Sequence, residues 1–500
     1  MHDSKSHDYE PLINRKTGRT SGLPVEEEFP NRKRMDGNEL RRHSQPRLAA
    51  KSINLNSSQD GNRNAYSTAE SISSPLLKRG HTISFLGLML FTAFVYFRPY
   101  EFSPGLSFLM SGAKWIATFT LAVFIPTQLG LEGNLVGKAR EVRLVLLLAL
   151  TALLSLPMAI SINEGWDNFT EFLKVVVMFI VMVNVVRTEG RLRWMLWLAL
   201  AVSLTTSFAA INDYRTGNLL VGGERIKGAI GGLFENPNDL ALHLVTIIPL
   251  TVGLFLCRSG SFKKVIYAIA IALMVLAVIC TFSRAGFLGL IASAIVLALK
   301  FGRKNRPAVI VISFLVVLTF MIFAPAEYGG RLASIFGGDV TGSAGARQDL
   351  FWRSVIVALR YPLFGVGIGN FHFRSIHEQV SHNSYTQVAS EMGMAALFFY
   401  VLFMLTPLKN LRRIENETRG HKDQAKFYYL AVGLQAGIIG YMVSSFFASV
   451  AFLWYLYYLV AYAVCLGRLY GPVSEVAPKE SSVELKPALL EPSRQKVGAI

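Results

Sequence analysis

From about residue 83 to about residue 467 the chain alternates long apolar runs with short polar breaks. Twelve runs can be read, at 83–97, 106–126, 142–160, 168–186, 194–211, 240–256, 264–282, 285–299, 307–323, 385–406, 427–447 and 452–467. A helix rising about 1.5 Å per residue needs roughly 20 apolar residues to cross a hydrocarbon core, and the shorter runs reach this by tilting or with their flanks. In a bilayer a helix satisfies all its backbone hydrogen bonds within one segment. The pattern therefore predicts an all-α polytopic membrane protein of about 12 transmembrane helices, with a long loop at 324–384 between the ninth and tenth.

Composition agrees. Only 17% of the 500 residues are charged, 52% are hydrophobic and the mean hydropathy is +0.39, whereas soluble domains carry about a quarter charged residues. Outside the apolar region the chain changes character. Residues 1–80 hold 14 Lys or Arg against 10 Asp or Glu and too little apolar surface to fold, which predicts a disordered basic tail. Residues 472–500 are polar and contain Pro472, Pro478, Pro487 and Pro492, a second tail that leaves 81–471 as the transmembrane domain. Cys257, Cys280 and Cys465 lie in or beside apolar runs, without metal-ligand spacing or a disulfide framework.

The net charge of +17 follows membrane orientation rather than nucleic acid, which is not an expected partner. Counting from a cytoplasmic N-terminus, one set of breaks holds Lys138 and Arg140, then Arg187, Arg191 and Arg193, then Arg258, Lys263 and Lys264. Lys300, Arg303, Lys304, Arg306, Lys409, Arg412 and Arg413 fall on the same side, while 161–167 and 448–451 on the other side have no Lys or Arg. Short loops rich in Lys and Arg stay inside, which places both termini in the cytoplasm. Three outward places break the rule: 212–239 with Arg215, Arg225 and Lys227, 324–384 with Arg331, Arg347, Arg353, Arg360 and Arg374, and the break that holds Arg284. Cations placed against the orientation bias need another reason, and an external anion supplies one.

Arg284 stands in Thr281-Phe282-Ser283-Arg284-Ala285-Gly286-Phe287-Leu288, between two apolar runs. Arginine at mid-bilayer costs about 2.5–3.5 kcal/mol, so it faces a wet cavity or a partner, or snorkels from a helix end. Arg225 lies in Gly222-Gly223-Glu224-Arg225-Ile226-Lys227-Gly228, where Glu224 can neutralise it as a surface pair. Farther on, Asn236-Pro237-Asn238-Asp239 opens the sixth run, and either Asn238 or Asn236 can cap that helix, whose amides favour an anion. His382, in Ser381-His382-Asn383-Ser384-Tyr385, precedes the tenth run on the outward side; an imidazole with its reference pKa of about 6.5 can take a proton from a hydroxyl, or simply serve at a helix start.

Gly365-Val366-Gly367-Ile368-Gly369 has the look of a phosphate loop but lacks the strand-turn-helix setting, so turns are the better account. Lys114, Lys174, Glu171 and Glu391 are charged groups within runs; Glu171 and Lys174, three apart, share a helix face and can pair, and Glu391 can line a cavity or stabilise packing. The outward side has no HExxH, paired cysteines or acidic metal cluster, so no metal or other cofactor is expected.

Taken in order, these motifs resemble the O-antigen ligase and polymerase superfamily of bacterial envelope glycosyltransferases. The carriers are Arg225-Ile226-Lys227-Gly228 leading to Asn236-Pro237-Asn238, Phe282-Ser283-Arg284-Ala285-Gly286, Arg347-Gln348-Asp349-Leu350-Phe351-Trp352 running into Pro362-Leu363-Phe364-Gly365-Val366-Gly367, and Ser381-His382-Asn383-Ser384-Tyr385. Ligases of this group carry Arg-x3-Leu, matched by Arg284 and Leu288, and His-Asn followed after nine residues by Gly, matched by His382, Asn383 and Gly393. The Gly, Thr or Tyr expected three positions further on is Ala396 here, which blurs ligase against polymerase.

The resemblance implies transfer of a glycan from undecaprenyl diphosphate to an acceptor hydroxyl on the periplasmic face of the bacterial inner membrane, the acceptor being a lipid, a glycan or a protein. It implies Arg225 and Arg284 on the diphosphate, His382 activating the acceptor, and Arg347, Asn383, Lys227 and Asn238 as further substrate-binding residues. The loop at 324–384 is then periplasmic, the tails cytoplasmic, and neither metal nor nucleotide is required. Two alternatives remain: a polymerase extending the same lipid-linked glycan, and a secondary transporter using Lys114, Lys174 and Glu391.

Overall fold

The computed structural model describes residues 80–98, 100, 104–135, 139–218, 226, 234, 236–257, 260–301, 343–376 and 378–476. All lie in the compact unit spanning 68–500. The N-terminal tail up to 79, the ninth run at 307–323, the outward loop as far as 342, Arg225, Lys227 and the C-terminal tail from 477 fall outside the described residues.

Among the described residues the fold is helical, without strands. In chain order come α1 Thr82–Phe97, α2 Gly112–Glu132 (continuing a 3-10 stretch, Pro104–Ser111), α3 Arg140–Ser155, α4 Ile162–Val185, α5 Glu189–Thr216, α6 Pro237–Leu256 and α7 Ser261–Cys280. Then follow α8 Arg284–Phe301, α9 Ser343–Arg360, α10 Ser384–Met392, α11 Met394–Thr418, α12 Ala425–Ser444 and α13 Trp454–Val476. Nine helical stretches among the described residues are long and apolar enough to cross a membrane: those built on α2 to α8, α11 and α12. At 16 residues α1 is shorter. The twelfth run is α13, whose Tyr455, Tyr457, Tyr458 and Tyr462 are buried rather than turned to lipid.

Helix starts follow sequence chemistry. Ser161 accepts a hydrogen bond from the Glu164 amide at 3.4 Å to open α4, and Thr188 accepts from the Arg191 amide at 3.2 Å to open α5. The three cysteines are free thiols, in line with expectation. Glu171 and Lys174 do pair, on an exposed face of α4.

The centre of the bundle is α6 against α12. The apolar window of α6 is 78% buried, against 11% for the stretch containing α2, which lies at the periphery. Between helices in lipid the hydrophobic effect gives little, and close backbone approach does the work. On α12, a Cβ at Gly433 would sit 2.8 Å from the Pro249 carbonyl oxygen of α6, and one at Gly437 would sit 2.8 Å from that of Thr246. On its other flank α12 meets α8: the Ser293 hydroxyl donates to the Ala436 carbonyl at 3.0 Å, and that of Ser444 donates to the Ala285 carbonyl at 3.0 Å.

Two glycine features differ from a plain reading of runs and loops. The tenth run is split at Gly393 (φ +89) into α10 and α11, because the Met394 amide turns aside to the Pro362 carbonyl at 2.8 Å. In the 365–369 loop the amides of Val366 and Gly367 donate to the carbonyls of Ser390 and Glu391, each at 2.9 Å. Ile368 donates to the Ser155 hydroxyl at 3.1 Å and Gly369 to the Glu391 carboxyl at 2.9 Å. With four consecutive amides engaged by the protein, the loop is a strut against α3 and α10 and no phosphate cradle. Burial pushes the Glu391 carboxyl up to about 8, so near neutrality this group, which precedes α11, is mostly a neutral acid inside the packing.

This packing makes the glycines testable. A Cβ at Gly365 (φ +67) would lie 2.3 Å from the Glu391 carbonyl carbon, and one at Gly393 would lie 2.3 Å from the Leu363 oxygen. Gly365→Ala and Gly393→Ala are each expected to destabilise the protein by about 1–3 kcal/mol or more, read as a drop in thermal unfolding midpoint in detergent. Gly130→Ala in α2, with no atom within 4 Å of the new Cβ, should leave the midpoint unchanged or raise it.

Candidate functional site

The site is built first from the turn between α7 and α8. Phe282 sits there at φ +52, a left-handed conformation that a bulky side chain adopts only when its surroundings hold it. Its ring packs 6.0 Å from that of Tyr214. Ser283 caps α8: its hydroxyl accepts from the Gly286 amide at 3.1 Å and donates to the Asn238 side-chain oxygen at 2.9 Å. Arg284 is thereby fixed in the first turn of α8, half-buried, at the positive end of that helix. Two features that favour an anion thus coincide.

The sequence left open which asparagine caps α6. Asn236 does, accepting from the Asn238 amide at 2.9 Å with Pro237 at the first helical position. Asn238 instead holds the Ser283 turn, and so acts on the placement of Arg284.

The second part is the segment before α10. His382 also has a positive φ, +52, and is half-buried. Its neighbours are anchored to the chain between α12 and α13. The Asn383 side chain accepts from the amides of Tyr385 and Thr386, each at 2.9 Å, and donates to the Phe446 carbonyl at 2.8 Å. Ser384 donates to the Ala448 carbonyl at 2.7 Å and accepts from the Val450 amide at 2.9 Å, while the Tyr385 hydroxyl donates to the Met442 carbonyl at 2.8 Å. Ser381 meets the Ser449 hydroxyl at 3.1 Å. Asn383 is buried with its amide engaged by the backbone, the geometry of a positioning residue for His382.

The third part is α9. Arg347 and Phe351, four apart, share one helical face. The Phe351 ring packs 5.8 Å from that of Phe446, which in turn lies 6.3 Å from that of Tyr385. The end of α12 therefore carries all three parts: Ser444 holds α8, Phe446 meets α9, and the Phe446 carbonyl holds Asn383.

The side chains act on one another electrostatically, Arg284 on Arg347 and Arg347 on His382. Burial, then the like charge of Arg284, holds the proton affinity of Arg347 below its ordinary value. Burial, then the charge of Arg347, pushes the His382 imidazole down to about 4. Arg284, Arg347 and His382 thus share one field, and no carboxylate among the described residues pairs with Arg347. Two guanidinium groups and a neutral imidazole suit binding of a polyanion next to a hydroxyl that gives up a proton. No group of three or more His, Cys, Asp or Glu that could hold a metal occurs among the described residues.

Of the residues singled out in the sequence, Arg284, Arg347 and His382 converge, Asn238 and Asn383 support them, and Arg225 and Lys227 lie outside the described residues; Ile226 between those two is buried. His372, another histidine of the 324–384 loop, faces Glu164 at 3.3 Å. Sequence reasoning missed Ser444 and Phe446, which sit inside an apolar stretch with nothing to mark them. It also passed over Asp239, a carboxylate in the first turn of α6 that interacts with Tyr455.

Fold and site together define a multi-pass helical membrane protein with a cationic, histidine-bearing centre at one end of its bundle. The sequence profile of the O-antigen ligase family matches residues 269–401, from the second half of α7 into α11, and this stretch contains Arg284, Arg347, His382 and Asn383. Over that stretch, about a quarter of its length, the chain is similar to the O-antigen ligase family. No curated protein matches the chain.

The His382 environment is directly measurable. With labelled histidine and a His382→Gln reference, the imidazole should titrate with a midpoint near 4, staying neutral from pH 7 down to about 5. Because a neighbouring cation opposes protonation, Arg347→Gln should raise the midpoint toward the reference value of about 6.5. A wild-type midpoint at 6.5 that is indifferent to Arg347 would show that these two groups do not share a site.

Proposed function

We propose that the protein is a glycosyltransferase that moves a glycan from undecaprenyl diphosphate to an acceptor hydroxyl, in the manner of an O-antigen ligase. The observation that carries this reading is the convergence of Arg284 and Arg347 beside a neutral His382 within the family-matched stretch. In the proposed reaction the acceptor oxygen attacks the anomeric carbon and its proton passes to the His382 imidazole. The bond from that carbon to the diphosphate breaks, and the guanidinium groups and the α8 N-terminus stabilise the negative charge that develops. Arg225 and Lys227 are proposed as further phosphate contacts, and Asn238 and Asn383 as the residues that place Arg284 and His382. No metal or cofactor is assigned a role.

The proposal includes an inner-membrane location with twelve crossings, tails 1–80 and 472–500 in the cytoplasm, a catalytic transmembrane domain at 81–471, and a periplasmic loop at 324–384. A second reading, a polymerase extending the same lipid-linked glycan, is favoured by Ala396: the position where ligases carry Gly, Thr or Tyr holds a fully buried methyl group in α11.

The test is transfer by the purified, reconstituted protein from a defined undecaprenyl-diphosphate glycan. Arg284→Ala should lower the rate about 10²–10³-fold, as loss of one charge-stabilising donor does. His382→Ala should lower it about 10²–10⁴-fold, and Lys174→Ala, on the exposed face of α4, should leave it unchanged. Wild-type rates from both folded site variants would sink the mechanism. Offering a second lipid-linked glycan as the acceptor, and finding it preferred over other acceptors, would select the polymerase reading.

A further inference from the structure

The opposite end of the bundle carries a second site. α6, α7, α8 and α12 each have one end at the candidate site and the other end, roughly 30 Å away along about 20 residues, at a cavity of about 740 Å³. The cavity lies among the α6 and α8 C-termini, the start of α7 and the connection from α11 to α12.

Its rim is cationic. Lys264, Arg419 and Lys422 line it, all exposed. Two other lysines of this region are already matched: the Lys300 ammonium is held by Glu415 and by the Gln435 side-chain oxygen at 3.0 Å, and Lys426 pairs with Glu189. No carboxylate among the described residues is paired with Lys264, Arg419 or Lys422, and no Asp or Glu lines the cavity.

Its wall is apolar. The Phe301 ring packs 5.5 Å from Tyr429 and 6.1 Å from Tyr428. On other faces of the same helices, none of them lining the cavity, α8 exposes Leu299, Ile295 and Ile291, four residues apart, and α7 exposes Phe262, Val265 and Ile269. A soluble anion would need only the cations. Unmatched cations beside an aromatic wall, at the ends of helices that expose apolar faces, complement a molecule with an anionic head and hydrocarbon tails.

We propose that this cavity binds the phosphate headgroup of an anionic phospholipid, with Lys264, Arg419 and Lys422 around the phosphate and the acyl chains leaving past the aromatic wall toward the bilayer. In the proposed orientation the site opens to the cytoplasmic leaflet, on the side where basic pockets meet anionic lipid. It takes no part in glycan transfer, so its failure and that of the transfer reading are separable.

Native mass spectrometry of the full chain, titrated with dioleoylphosphatidylglycerol or with the zwitterionic dioleoylphosphatidylcholine, tests the assignment. The wild type should retain the anionic lipid in preference to the zwitterionic one. Lys264→Gln, Arg419→Gln and Lys422→Gln should each cut that preference about fivefold, and the triple variant should abolish it. His382→Ala should keep it. Arg419→Gln, in a surface connection, remains informative if the triple variant unfolds, as shown by its thermal midpoint. Equal retention of both lipids by the wild type, or an undiminished preference in the folded single variants, overturns the proposal. Inorganic phosphate that binds in the millimolar range or below, and displaces the lipid, also overturns it by assigning the cavity to a soluble anion.

Discussion

Backbone polar groups buried among helices must find partners, because lipid offers none. In this protein that constraint falls most heavily on the connection between α12 and α13, where the helix stops and its carbonyls are left over. The Ser381–Tyr385 segment satisfies them: Asn383 binds the Phe446 carbonyl, Ser384 that of Ala448, and Tyr385 that of Met442. From within the bundle, Tyr441 donates to the Val450 carbonyl and Tyr457 to that of Ala451. His382 takes no part in this accounting. The catalytic candidate is thus framed by residues that satisfy the carbonyls left over where α12 ends.

That division of labour explains which parts of the molecule are legible in the sequence. Apolar runs locate the helices because lipid imposes a length and a composition on each. The reading falters where those two are not what matters. Gly393 breaks the tenth run through a left-handed backbone that hydropathy does not register, and α13, read correctly as an apolar run, turns its tyrosines into the protein, where the Tyr458 hydroxyl meets that of Thr92. Arg284, Arg347 and His382 could be picked out because cations on the outward side defy the orientation rule and the histidine motif accompanies them. Ser444 and Phe446 could not, since they act through a carbonyl, a hydroxyl and a ring face in an otherwise ordinary apolar stretch. Asn236 and Asn238 show the limit within one motif: either could cap α6 by type, and only geometry separates the cap from the brace.

Rigid packing links the two ends. Gly433 and Gly437 bring α12 onto α6 at backbone distance, so the helix that carries the site at Ser444 is the one that opens the cavity at Ala425. An occupant at one end meets the same helices as an occupant at the other. Each end also gathers like charge, Arg284 and Arg347 at one and Lys264, Arg419 and Lys422 at the other.

For the cationic pair at the site this has a kinetic corollary. In the proposed transfer the departing carrier has more negative charge than the donor had, and Arg284 and Arg347 would hold it correspondingly harder. A centre that eases bond cleavage in this way grips its spent carrier more firmly than its fresh one. Under that proposal turnover would be paced by escape of the empty lipid into the bilayer, and accumulation of that lipid would throttle the reaction before the supply of acceptor does.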